Sequence, residues 1–167
     1  EPWFVGLILS ITEMQKIGLD PALGLDKHFM DRAAKSGKPA KGLETGDSQI
    51  AIFDNMSAQQ QEQFLLESLG DSAEVKAKME DLHNTWRKAD DKTLFDKMAM
   101  DMRKKYPELY QSINPDRNKA WLPKLEDLLK TNTSDDILVV VGALHLVGDD
   151  GVVKMLTDKG YKVERMK

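Results

Sequence analysis

Apolar residues crowd the start of the chain: Trp3, Phe4, Val5, Leu7, Ile8, Leu9 and Ile11 precede the polar run Thr12-Glu13-Met14-Gln15-Lys16. An apolar segment that turns polar before Gly18 predicts a helix ending at that glycine, its apolar side in a core. Leu25, Phe29 and Ala33 recur at spacing four, with Gly37 placed as a C-cap, and predict a second, short helix. Residues 38–45 are too short and too punctuated by Gly and Pro for a helix, and predict a strand with Glu44 at its C-terminal end.

From 47 to about 105 the helix formers Gln, Glu, Leu, Lys, Ala and Met dominate, interrupted at Asn55-Met56-Ser57, Gly70-Asp71-Ser72 and Asp90-Asp91. This predicts a helical insertion of three or four helices, with Ser57 and Ser72 at helix starts, where a serine oxygen accepts from unpaired amides of the first turn. Asn114-Pro115-Asp116-Arg117-Asn118 reads as a turn into a helix over 119–130, whose stripe of Trp121, Leu122, Leu125, Leu128 and Leu129 is expected to pack on a sheet. The β-branched run from Ile137 to Val141, closed by Gly142, predicts a buried strand. Residues 149–160 follow as a capped helix, and Tyr161–Arg165 alternates as a strand. The pattern therefore predicts one α/β domain over 1–167: a small mixed sheet with flanking helices and a helical insertion at 47–105.

Composition narrows the classes. With 167 residues, 41% of them hydrophobic, the chain is long and apolar enough to bury a core. A net charge of −4 supplies no strong cationic field, so nucleic acid is not an expected partner. No cysteine is present, which removes disulfides, zinc–thiolate sites and thiol nucleophiles. The apolar run from Trp3 to Ile11 falls well short of the ~20 residues that a spanning helix needs, so no transmembrane segment is expected. The opening Glu1-Pro2-Trp3, without Met or a basic leader, is that of a processed or trimmed product.

Chemistry gathers at three places. His145 follows the predicted strand in Gly142-Ala143-Leu144-His145, and Glu44 ends the other in Gly42-Leu43-Glu44. Open α/β sheets place ligands at the carboxyl ends of their strands, where an imidazole and a carboxylate make half of a metal site. Arg117 and Asn118 open the helix before the strand, where a guanidinium can clamp a carbonyl or a developing oxyanion.

These segments together resemble the TraB/GumN family, whose animal relatives include the Tiki metalloproteases. The resemblance rests on Lys41-Gly-Leu-Glu-Thr45, Asp116-Arg-Asn-Lys-Ala-Trp-Leu-Pro-Lys124, Val141-Gly-Ala-Leu-His-Leu-Val-Gly148, Gly151-Val-Val-Lys-Met-Leu156 and Gly160-Tyr-Lys-Val163. Residues 2–26 match the family's middle region. The family pattern implies a divalent-metal centre, with Mn, Co or Zn as candidate ions, built from two G-x-x-H motifs, a glutamate and an arginine. Its second G-x-x-H corresponds to Gly142–His145, its glutamate to Glu44, and its arginine and the following residue to Arg117 and Asn118. The first G-x-x-H is absent, since neither His28 nor His83 has a glycine three positions earlier. The implied reading is an N-terminally truncated, inactive form of a metal-dependent, peptidase-like hydrolase.

In that reading the metal would polarise a peptide carbonyl and acidify its bound water. Glu44 is then ligand or general base, and Arg117 stabilises the tetrahedral intermediate. The rival class is a non-catalytic ligand- or protein-binding member of the same fold, haem being one ligand. A homodimer is the further expectation, with paired chains covering the sheet edge that a missing strand exposes. The resemblance also implies a periplasmic or secreted location. Met98, Met100 and Met102 read as packing residues, because in a helix Met100 points away from the other two. His28 and His83 read as solvated, Trp86 and Trp121 as packing residues, and Arg103-Lys104-Lys105 as a helix C-terminus.

Overall fold

The computed structural model describes residues 1–70, 72–131 and 135–166. They form helices and turns, with no strand among the described residues. This overturns the expected α/β fold and its mixed sheet. The chain divides into two compact units, Glu1–Asn84 and Thr85–Lys167.

The first unit holds α1 (Pro2–Lys16), α2 (Leu25–Lys35), α3 (Gly46–Asp54), α4 (Ala58–Glu67) and most of α5 (Ser72–Arg87). Proline in the first turn of α1 has no N–H to leave unpaired, and Lys16 in the last turn complements the helix dipole. Packing of α1 on α4 is close because Gly6 has no side chain: a Cβ there would stand 2.9 Å from Phe64 Cδ1. Trp3 anchors the core. It is buried, stacks on Phe53 at 5.2 Å between ring centroids, and donates its indole N–H to Asp54 Oδ1 at 3.0 Å. Ser57 starts α4 as expected, with a capping box in which Ser57 and Gln60 each satisfy the other's backbone amide. Ser72 is likewise the first residue of α5. Asp71, part of the predicted interruption, lies outside the described residues.

The second unit runs through α6 (Asp91–Phe95), a π-helical turn (Asp96–Met100), α7 (Asp101–Lys105), α8 (Pro107–Ile113), α9 (Pro115–Thr131), a 3-10 turn (Ala143–His145) and α10 (Val152–Asp158). Pro115 occupies the first position of α9 rather than a preceding turn, so the helix begins earlier than 119 and carries Arg117 and Asn118 on its first turn. The core gathers Leu94, Ala99, Tyr110, Trp121, Leu125 and Val152. Gly148 has φ +82°, and a Cβ at that position would lie 2.1 Å from the Phe95 ring, so only glycine fits there.

Three predicted strands are absent for one physical reason. A strand satisfies its amides only by pairing with a neighbour, and neither the punctuation of 38–45, the β-branched run at 137–141 nor the alternation at 161–165 specifies one. Residues 38–42 are irregular and lead directly to Thr45, the N-cap of α3. Ile137, Leu138 and Val139 are 45%, 66% and 41% exposed, not buried. No backbone hydrogen bond joins 136–141 to another segment among the described residues. Residues 161–166 are also irregular. The stripe on α9 accordingly packs on helices α8 and α10, not on a sheet. Trp86 is half exposed, against its reading as a packing residue, whereas Trp121 is buried as expected.

Candidate functional site

Tyr106, Tyr110, Asn114 and Asn118 follow one another at spacing four from the residue before α8 into α9, so they share one side of a nearly continuous helical path. Trp121 and Leu125 extend the same side. Asn114 and Asn118 are fully buried, and Tyr110, Trp121 and Leu125 nearly so. Burying an amide side chain costs roughly 1–3 kcal/mol when it has no partner, so each of these groups needs one.

Asn118 finds two. Its side-chain N–H donates to the backbone carbonyl of Asp150 at 2.8 Å, and its Oδ1 lies 2.7 Å from Nδ1 of His145. A carbonyl can only accept, so the amide nitrogen must face Asp150 and the amide oxygen must face the imidazole. An amide oxygen also only accepts, which places a proton on Nδ1 of His145. His145 is buried within the 3-10 turn, and Trp121 packs on it with ring centroids 4.5 Å apart.

Around this pair lie further polar groups. Tyr110 donates its hydroxyl to Asp150 Oδ2 at 2.8 Å and accepts from Asn114 Nδ2 at 3.3 Å. Burial and the bond to the Asp150 carboxylate push the Tyr110 hydroxyl up to about 12. The Arg103 guanidinium stands 5.5 Å from the centre of the Tyr110 ring and pairs with Asp149 at 3.4 Å. Arg117 lies over Trp121, its guanidinium carbon 4.9 Å from the ring centre, while its Nη1 donates to the Ile113 carbonyl at 3.1 Å. One indole thus touches both Arg117 and His145. Asn114 Oδ1, Asp150 Oδ1 and the Tyr106 hydroxyl are buried with no hydrogen-bond partner among the described residues.

Glu44 belongs to the first unit, in the bend before α3, where its Oε1 accepts from Gln49 Nε2 at 2.8 Å. Gly42 is needed there sterically, since a Cβ would come within 2.7 Å of the Glu44 carbonyl oxygen. Of the four predicted site residues, Arg117, Asn118 and His145 are therefore gathered in the second unit, and Glu44 stands in the other. Among the described residues no three His, Asp or Glu side chains form a group able to hold a metal ion. His28 and His83 are exposed, as expected.

The sequence profile of the TraB/PrgY/gumN family matches residues 1–165. The chain belongs to that family. It is also 27% identical over 159 residues to the uncharacterized protein YbaP of Escherichia coli and, equally, to that of Shigella flexneri, covering 92% of this chain and 55% of theirs. The chain thus spans about half the length of the curated relatives it matches. No solved structure matches it. No helix among the described residues is long and apolar enough to cross a membrane.

Within this TraB-family chain, the residues that motif reading missed are Tyr110 and Asp150, with Asn114 behind them. The signal was present as the spacing of four from Tyr106 to Asn118. A polar stripe continuous with the apolar Trp121–Leu125 stripe is a sign that the polar residues face inward with it.

Proposed function

We propose that the chain supplies His145 as an imidazole ligand, and Arg117 as a neighbouring cation, to the site of a divalent-metal-dependent, peptidase-like hydrolase of the TraB type. The single observation that supports this most is the hydrogen bond from His145 to Asn118. Imidazole ligands bind through one nitrogen while the other N–H is held by an oxygen acceptor that fixes tautomer and ring orientation. His145 has that arrangement at Nδ1, which Asn118 Oδ1 holds at 2.7 Å.

Among the described residues the donors do not complete a metal centre by themselves. Hydrolytic sites use about three protein ligands and keep one position open. Here one imidazole is oriented, and no three-residue ligand group occurs among the described residues. What the chain's own residues do is orient one imidazole, exclude water from its face with Trp121, and hold a guanidinium on the same indole. A cation held on the indole that also packs on the imidazole suits a substrate carbonyl on which negative charge develops.

Calorimetric titration of the chain with Mn²⁺, Co²⁺ and Zn²⁺ tests the reading. Weak one-to-one binding that His145→Ala abolishes, with no peptide hydrolysis, is the expected result. Binding that survives His145→Ala unchanged would overturn it. So would a Soret band on haem titration that requires His145, because that outcome favours a ligand-binding protein.

A further inference from the structure

The tautomer of His145 depends on which end of the Asn118 amide faces it. That choice depends on the Asp150 carbonyl staying within 2.8 Å of Asn118 Nδ2. Asp150 lies in the turn between the 3-10 turn and α10, where the adjoining backbone bond, Gly151 N–H to Gly148 carbonyl, is long at 3.4 Å. The turn's own hydrogen bonding therefore holds it weakly. Its side chain makes the firmer tie, because Asp150 Oδ2 accepts from the Tyr110 hydroxyl at 2.8 Å. Tyr110 is held in turn by α8, by burial and by the amide of Asn114 at 3.3 Å.

We propose that Tyr110 and Asp150 are positioning residues that set the Nδ1–H tautomer of His145 through Asn118. Asp150 acts with both of its polar ends. The carboxylate ties the turn to α8, and the carbonyl, placed by that tie, accepts from Asn118 on α9. The amide then can present only its oxygen to the imidazole. If the turn drifts, the Asp150 carbonyl no longer distinguishes the two ends of the amide. Rotation by 180° then turns the Asn118 NH₂ toward Nδ1, which must accept, and the proton moves to Nε2. The ring would be in the same place with its lone pair on the wrong nitrogen. The catalytic value of this arrangement rests on the metal-ligand reading above, but the tautomer itself does not.

The test uses long-range ¹H–¹⁵N correlation spectra of the imidazole nitrogens in the metal-free chain, at a pH where the ring is neutral. His28 and His83, both exposed, serve as internal references. The unmodified chain is expected to show His145 as the Nδ1–H form alone. Tyr110→Phe, which keeps the ring and removes only the hydroxyl, should lose that exclusive signature and show the Nε2–H form alongside it. Asp150→Ala should do the same. Asp150→Asn retains an oxygen able to accept from Tyr110, so it should keep the original signature. Because both Asp150 variants retain the backbone carbonyl, the difference between them isolates the side-chain tie from any general loss of packing. A purely Nδ1–H His145 in both Tyr110→Phe and Asp150→Ala overturns the proposal, as does an Asp150→Asn variant indistinguishable from Asp150→Ala. Failure of metal binding with the tautomer pattern intact would count against the hydrolase reading and leave this one standing.

Discussion

Two stretches of the second unit invert the usual order of inside and outside. Along 106–118 the polar side chains of Tyr110, Asn114 and Asn118 are buried, while along 137–139 Ile, Leu and Val are exposed. The difference is one of hydrogen-bond supply. Tyr110 and Asn118 bring partners with them, since Asp150 offers both a carboxylate and a carbonyl, and His145 offers a ring N–H. Polar groups with partners can be buried at little net cost. The apolar run has side chains suited to burial but a backbone whose amides find no ladder among the described residues, and the backbone decides.

The largest effect should come from the residue that closes the polar side. Trp121 is buried and packs on both His145 and Arg117. Trp121→Ala should cost about 3–5 kcal/mol in the stability of the second unit, measured by urea unfolding with amide-exchange readout on α9. A cost under about 1 kcal/mol would mean that the indole is not the keystone of this core.

Asn118→Ala comes next. It strips partners from the Asp150 carbonyl and from the His145 ring N–H together, and an expected cost of about 3 kcal/mol follows from two buried groups at roughly 1–3 kcal/mol each. Asn118→Asp should restore an acceptor for the imidazole but not a donor for the carbonyl, and should recover only part of the loss. Full recovery would show that the Asp150 contact contributes nothing.

A smaller, pH-dependent effect belongs to Tyr110. Its folded-state hydroxyl is pushed up to about 12, above the ordinary value of 10.0, so the folded chain keeps the proton more tightly than the unfolded one. The associated stability is fully present below about pH 10 and is lost as pH rises from there through about 12. Urea midpoints should fall between about pH 9 and about pH 11.5, and Tyr110→Phe should flatten that fall. An identical fall in Tyr110→Phe would assign the loss to other groups.

The same contrast explains what was legible in the sequence. Helices whose signal is local were read correctly: the apolar-to-polar run of α1, the Ser57 start of α4, and Gly160, which follows α10 with φ +88°. Arg117, Asn118 and His145 were singled out, and three-dimensional proximity joins them. What failed was non-local. The strands needed partners at a distance, and no periodicity within 137–141 can reveal whether those exist. Tyr110 and Asp150 were missed for a related reason, since 40 residues separate the two ends of their hydrogen bond. Glu44 was named from its place at the end of a predicted strand and from the family motif, and of these the strand is absent.

The smallest expected effect is the sharpest check on the comparison. Leu138 is 66% exposed, so Leu138→Lys removes little buried area and leaves no polar group unpaired, and it should change stability by no more than about 0.5 kcal/mol. Leu125, at 7% exposure on the buried stripe, is the matched control, and Leu125→Ala should cost about 2–5 kcal/mol. Were Leu138→Lys to cost as much as Leu125→Ala, the exposed 137–139 side chains would contribute to packing as much as the buried stripe does, and the contrast between the two stretches would fail. Near-neutrality at Leu138 with a large loss at Leu125 would instead establish that in this unit the apolar pattern of α9 directs packing, while the more hydrophobic 137–141 pattern does not.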